Sequence, residues 1–400
     1  MRNTFLPLLA CLPFFAAAPS LAQAPYSFTM TLDMTAPRAA AIAVDVTDNA
    51  FDQGLILIAG GYHTPCCTFL KSAELYELRT GTFKATGSLR HSRRGAAAIA
   101  IVSLRTDRQY YDAVVFGGDV AATAPPRRNY EFYDTRRGRF TAVRPLLTDR
   151  FPAVMARSGN GQFGGFVLFG GQGHPVNRTR AEVHSFNEVF LEAPWPPFLI
   201  GLQRPRDGAT ATTLRDGRIL IVGGSGSAGN TAEVYDPATG VMTAVGDLAV
   251  RRTRHTATVI GPFNAEKVLI AGGVEINDAG GIVAHHASAE IFDPATNRFT
   301  PAGSLTGPRA DHTATAFSIS PTGRKVLIAG GRDHVGRILH SSEIYDVETA
   351  TFSPGSGMTM ARYEHLAIPI GPRRILLAGG HATGHLTTRR AEIFHYPYTP

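Results

Sequence analysis

Val268-Leu269-Ile270-Ala271-Gly272-Gly273, followed by Ala289-Glu290-Ile291-Phe292-Asp293-Pro294 and then by Phe299, is the stretch whose reading decides the fold of this chain. The apolar run reads as a short buried strand, and the two glycines let the backbone leave it where a side chain would clash. The second segment reads as a strand carrying Glu290 and ends on an Asp-Pro turn signal, after which Phe299 marks a further strand. Working outward, a Gly-Gly pair after an apolar run occurs seven times: Gly60-Gly61, Gly117-Gly118, Gly170-Gly171, Gly223-Gly224, Gly272-Gly273, Gly330-Gly331 and Gly379-Gly380. The spacings are 57, 53, 53, 49, 58 and 49 residues, which makes this one repeat rather than seven coincidences. A Glu-bearing strand follows each pair, then a strand with an aromatic or Met (Phe83, Phe140, Met242, Phe299, Phe352). Arg38, Arg93, Arg150, Arg206, Arg252, Arg309 and Arg362 recur just before the first strand of the seven copies.

Each copy is therefore four strands, a to d. Such a unit cannot bury both faces alone, so copies must stack. Four-stranded antiparallel blades arranged radially make a β-propeller, and the fold class is all-β with seven blades. The blades fall at approximately 38–92, 93–149, 150–205, 206–251, 252–308, 309–361 and 362–400. The seventh copy stops after its third strand, Ala391 to Tyr396, and residues 26–34 are expected to supply the fourth and close the ring. Closure removes exposed edges, so a monomer is expected.

This pattern resembles the kelch repeat, whose marks are the Gly-Gly after the second strand and the downstream aromatics. The resemblance spans nearly everything from residue 26 to 400. It departs at the Trp common in the fourth strand of kelch units, which is Phe or Met here; the single Trp, Trp195, falls in the irregular third copy.

Composition narrows the rest. With 44% hydrophobic and 18% charged residues, the chain is neither disordered, collagen-like nor a multi-span membrane protein. The net charge of +7 comes from 35 Arg against 4 Lys without clustered basic and aromatic residues, so no nucleic-acid partner is expected. Residues 1–24 read as a signal peptide: Arg2, an apolar Phe5 to Ala18, and the cleavage site Ala22-Gln23-Ala24. The domain is then 25–400, secreted or periplasmic, and no later stretch reaches the ~20 apolar residues of a spanning helix. Cys11 leaves with the signal. Cys66 and Cys67 are adjacent, which excludes a disulfide framework and leaves a vicinal disulfide or two free thiols.

In such blades the b–c loops and d–a connections share one face. Eight of the 14 His lie in b–c loops (His63, His174, His285, His286, His334, His340, His381, His385) and four at d–a connections (His91, His255, His312, His365), marking this as the working face. Seven glutamates, Glu74, Glu131, Glu182, Glu233, Glu290, Glu343 and Glu392, match the seven arginines one for one and read as repeated structural ion pairs. The alternative is a cationic ring that holds an anion. Three residues after each Arg stand Ala41, Ala96, Ala153 and Ala209, but then His255, His312 and His365. These histidines either cap strand a or line the entrance beside Asp311 and Glu364. The candidate ligand set is Arg252, His255, Arg309, Asp311, His312, Arg362, Glu364, His365, His334 and His381. Three such histidines could bind zinc or copper, but their spread over neighbouring blades favours polar contacts to a sugar or carboxylate, so no metal or cofactor is expected. The reading is an exported binding module that holds a glycan, acidic or not, or a peptide. The resemblance also admits a sugar mutarotase or epimerase, working through Asp311, Glu364 and His365. More remote is a copper oxidase like galactose oxidase, whose tyrosine–cysteine crosslink finds only Cys66 and Cys67 here.

Overall fold

A computed structural model describes residues 26–47, 54–64, 68–101, 113–118, 129–147, 154–158, 165–169, 180–185, 197–262 and 265–399. Arg150, Cys66, Cys67, Trp195 and the expected signal segment lie outside the described residues. The chain forms seven four-stranded antiparallel sheets. The stretch quoted first builds the fifth, with strand a at Thr256–Ile260, b at Lys267–Ala271, c at Ser288–Asp293 and d at Arg298–Ser304. The a strands pack one against the next in a closed ring, including Ile42–Asp45 of blade 1 against Leu366–Pro369 of blade 7.

Beyond their first residues the b strands are apolar, because both of their faces lie in interfaces. Val268 and Ile270 pack with Leu220 and Val222 of blade 4. Leu269 and Ala271 point the other way, into Val326 and Ile328 of blade 6. One strand thus contributes to two inter-blade cores, and seven such clusters run around the ring.

Ring closure uses both ends of the fold. Ser27–Met30 pairs antiparallel with Ala391–His395 as the outer strand of blade 7, Ser27 opposite His395 and Met30 opposite Glu392. Tyr26 stacks on Phe394 at 5.8 Å, and Phe28 tilts against the same ring at 5.0 Å.

The glycine pairs connect blades rather than merely ending strands. Gly272 and Gly273 have φ of 64° and 95°. A Cβ on Gly272 would lie 2.5 Å from the Arg309 carbonyl oxygen of the next blade. That close approach lets the Gly273 N–H donate to the same carbonyl at 2.8 Å. The equivalent bond runs from Gly61 to Arg93, Gly224 to Arg252, Gly331 to Arg362 and, across the closure, Gly380 to Arg38.

Candidate functional site

The repeated arginines are buried, and their side chains point inward to the blade. Arg38, Arg93, Arg206, Arg252, Arg309 and Arg362 pair with Glu74, Glu131, Glu233, Glu290, Glu343 and Glu392 at 2.5 to 3.0 Å. A second guanidinium nitrogen reaches backbone carbonyls. Arg309 Nη1, for example, donates to Gly330 O at 3.1 Å and Ser341 O at 3.2 Å. The partner glutamate accepts the N–H of the residue three before its arginine, as Thr306 to Glu343 Oε2 at 2.8 Å and Thr35 to Glu74 Oε2 at 2.7 Å. Glu182, whose counterpart in the repeat lies outside the described residues, is buried and accepts the Leu147 N–H at 2.6 Å. Each pair therefore binds strand c, the Gly-Gly turn and the d–a connection together. Arg252, Arg309 and Arg362 are thus buried and committed to glutamate.

His255, His312 and His365 are held in the protein interior as well. They are buried between blades and do not line an entrance. Each Nε2 meets the first hydroxyl of strand a in the preceding blade: His255 with Thr210 Oγ1 at 3.0 Å, His312 with Thr256 at 3.0 Å, His365 with Thr313 at 2.9 Å. Burial and the neighbouring arginine push His255 and His312 down to about 3, and His365 well down, so all three are neutral imidazoles at neutral pH.

The cavity of this face, about 440 Å³, opens beside them. Its lining comes almost wholly from three repeat positions. The first residue after the arginine gives Arg94, Asp207 and Thr253; the second gives Ala40, Gly95, Gly208, Arg254, Asp311 and Glu364; the residue after Gly-Gly gives Tyr62, Ser225 and Arg332. The second position is left-handed in every described blade, with φ of 47° at Ala40, 53° at Arg254, 56° at Asp311 and 50° at Glu364. That geometry lets the backbone run bonds around the mouth: Asp311 N–H to Arg254 O, Glu364 N–H to Asp311 O, Ala40 N–H to Glu364 O and Gly95 N–H to Ala40 O, at 3.1 to 3.2 Å.

Charges alternate along this rim. Asp311 accepts from Arg332 Nη2 at 2.5 Å, with Arg254 at 3.9 Å. Burial and then Glu364 push the Asp311 carboxyl up, against the pull of Arg332. Glu364 is held down, because the bond to His381 and the charges of His381, Arg332 and Arg254 together outweigh burial. His381 Nδ1–H donates to the His385 carbonyl at 2.9 Å, which leaves Nε2 for the Tyr62 hydroxyl. That hydroxyl also lies 3.4 Å from Glu364 Oε2, and burial and Glu364 raise its pKa. Tyr363 stacks on His381 at 4.6 Å and carries the Arg332 guanidinium at 4.3 Å.

A family model for the Kelch motif matches residues 309–359, blade 6 with its Gly330-Gly331 turn. Together with the seven-bladed ring, this motif supports a kelch-repeat β-propeller. Kelch propellers commonly bind proteins, which suggests an interaction module. Of the residues singled out from sequence, Asp311 and Glu364 line the kelch cavity, and His381 stands behind Tyr62. His334 is exposed on the blade 6 loop, outside the cavity lining. Sequence reasoning passed over Tyr62, Arg94, Asp207, Arg254 and Arg332. Gly95 and Gly208 were the available signal, since glycine at the second position announces a left-handed backbone. Among the described residues no group of three or more His, Cys, Asp or Glu is placed to hold a metal ion, and no helix is long and apolar enough to cross a membrane.

Proposed function

We propose that this kelch propeller is exported and serves as a non-enzymatic module that holds a polar ligand, a carbohydrate or a peptide segment, in the loop-face cavity. Export rests on the leader-like residues 1–24. The observation that carries the ligand reading is the convergence of Arg94, Asp207, Arg254, Asp311, Arg332 and Glu364, from five blades, on one cavity of about 440 Å³. Residues that serve the repeat are the same in every copy and buried. These differ from copy to copy and line an open cavity, as a binding site on a rigid scaffold requires.

Glycan and peptide arrays probed with the purified protein test this reading. Arg254→Ala and Arg94→Ala are each expected to weaken capture at least tenfold, while the melting temperature stays put. Capture that survives both substitutions refutes the cavity as the site.

The Tyr62–His381–Glu364 cluster favours one second reading, acid–base catalysis of sugar anomer exchange. The module reading expects no acceleration of mutarotation by polarimetry. Acceleration that Glu364→Gln abolishes would replace it.

A further inference from the structure

The cavity charges are not equally satisfied. Asp311 and Arg332, both of blade 6, neutralise each other at 2.5 Å, and the Asp311 side chain is 10% exposed. On one side of this pair stands Arg254 of blade 5, its side chain 41% exposed. Its ion-pair contact is Asp311 at 3.9 Å, through the oxygen that Arg332 already occupies. On the other side stands Glu364 of blade 7, 34% exposed, whose ion-pair contact is a histidine, His381, at 3.6 Å. The rim thus reads guanidinium, neutral pair, carboxylate, over three consecutive blades.

The backbone fixes the spacing. Asp311 N–H donates to Arg254 O at 3.2 Å, and Glu364 N–H to Asp311 O at 3.1 Å. Each such step separates neighbouring chains by roughly 5 Å, which sets the two outer Cα atoms about 10 Å apart. The left-handed backbone at all three residues orients their side chains alike, toward the cavity they line.

We propose that the cavity selects molecules bearing both an ammonium and a carboxylate, the carboxylate on Arg254 and the ammonium on Glu364, across the neutral Asp311–Arg332 floor. This rests on the reading of the cavity as the ligand site and adds the ligand's charge pattern. A purely anionic ligand would satisfy Arg254 but meet Glu364, and a purely cationic one the reverse. A zwitterion gains a charge-assisted hydrogen bond at each end, and a partly enclosed wall strengthens both. Short free peptides and amino-sugar acids share this chemistry.

Isothermal titration with triglycine, whose extended chain spans about 10 Å, and with muramic acid separates the two sources. Controls are N-acetyltriglycine and triglycine amide, each lacking one charge. Triglycine or muramic acid is expected to bind, the tighter naming the source, with each blocked peptide at least tenfold weaker than triglycine if peptides are the source. Glu364→Gln should erase the discrimination against the N-acetylated peptide, and Arg254→Gln that against the amide, both variants melting like the parent. Blocked peptides or a neutral sugar binding in the cavity as tightly as the zwitterions would overturn charge selection while leaving the cavity as the site. No binding by either zwitterion overturns it as well. Array ligands that ignore Arg254→Ala and Arg94→Ala remove both readings.

Discussion

His312 shows what a single side chain does at a blade interface. Its Cε1 would lie 2.8 Å from a Cβ on Gly272 of the preceding blade, and its own Cβ 2.9 Å from one on Gly331. The imidazole thus fills the space that two glycines leave open, and its Nε2 reaches Thr256 Oγ1 at 3.0 Å. His255 repeats the arrangement one blade earlier, over Gly223 and against Gly273. Both fold as neutral rings with pKa about 3, against roughly 6.5 in the unfolded chain. The folded state then binds fewer protons than the unfolded state between these values. Their contribution is present in full above pH 6.5 and is lost as pH falls toward 3, each histidine adding a slope of about 1.4 kcal/mol per pH unit once the unfolded state is protonated. Urea melts between pH 6.5 and 5, above the usual carboxylate range, should show this loss, and His255→Gln with His312→Gln should reduce it, leaving the share of His365. A slope that the double variant leaves unchanged would place the titration elsewhere.

At the scale of strands and turns, the Arg–Glu pair is the fastener of each blade. Glu343 holds Arg309 at 2.6 Å and the Thr306 N–H at 2.8 Å, and Arg309 holds two carbonyls beside the Gly330-Gly331 turn. Removing one partner of a buried pair leaves the other charge stranded, so Glu343→Leu should cost about 3–5 kcal/mol by denaturant titration. The Glu343→Leu, Arg309→Met double variant should recover much of it, whereas an additive loss would contradict the pairing. This recurrence is why the scaffold was legible in sequence: a residue demanded by every blade appears seven times, in the same order relative to the Gly-Gly pair. The site obeys the opposite logic. Arg254 occupies one structural position with a guanidinium, Asp311 and Glu364 with a carboxylate, and Gly95 and Gly208 with no side chain. Only the histidines one residue further on broke the pattern visibly, and their departure reflects packing between blades. Distances across the cavity, such as Tyr62 to His381, join residues more than three hundred positions apart and leave no local trace.

Over the whole molecule, stability depends on the ring being closed. Each b strand shares its two faces between neighbouring cores, so no blade is complete without both neighbours. The closure at blade 7 rests on Ser27–Met30, the Tyr26 and Phe28 rings against Phe394, and the continuing bond from Gly380 N–H to Arg38 O at 2.8 Å. A connection of a few residues between that strand and Arg38 couples the outermost strand to the innermost backbone ring. The same segment carries Met34, buried against blades 7 and 1, so removing it strips a core residue along with the strand. Deleting residues 25–34 should therefore expose Ala391–His395 as an unpaired edge. Expected results are a broad thermal transition in place of a single cooperative one, and concentration-dependent association on sizing columns. The cavity lies on the same circuit, since Ala40 N–H bonds Glu364 O across the closure at 3.2 Å. Ligand capture should fall with cooperativity in the deletion variant, and adding a peptide of residues 25–34 in excess should restore both. Unchanged cooperative melting of the deletion variant would show that the ring holds without its N-terminal strand.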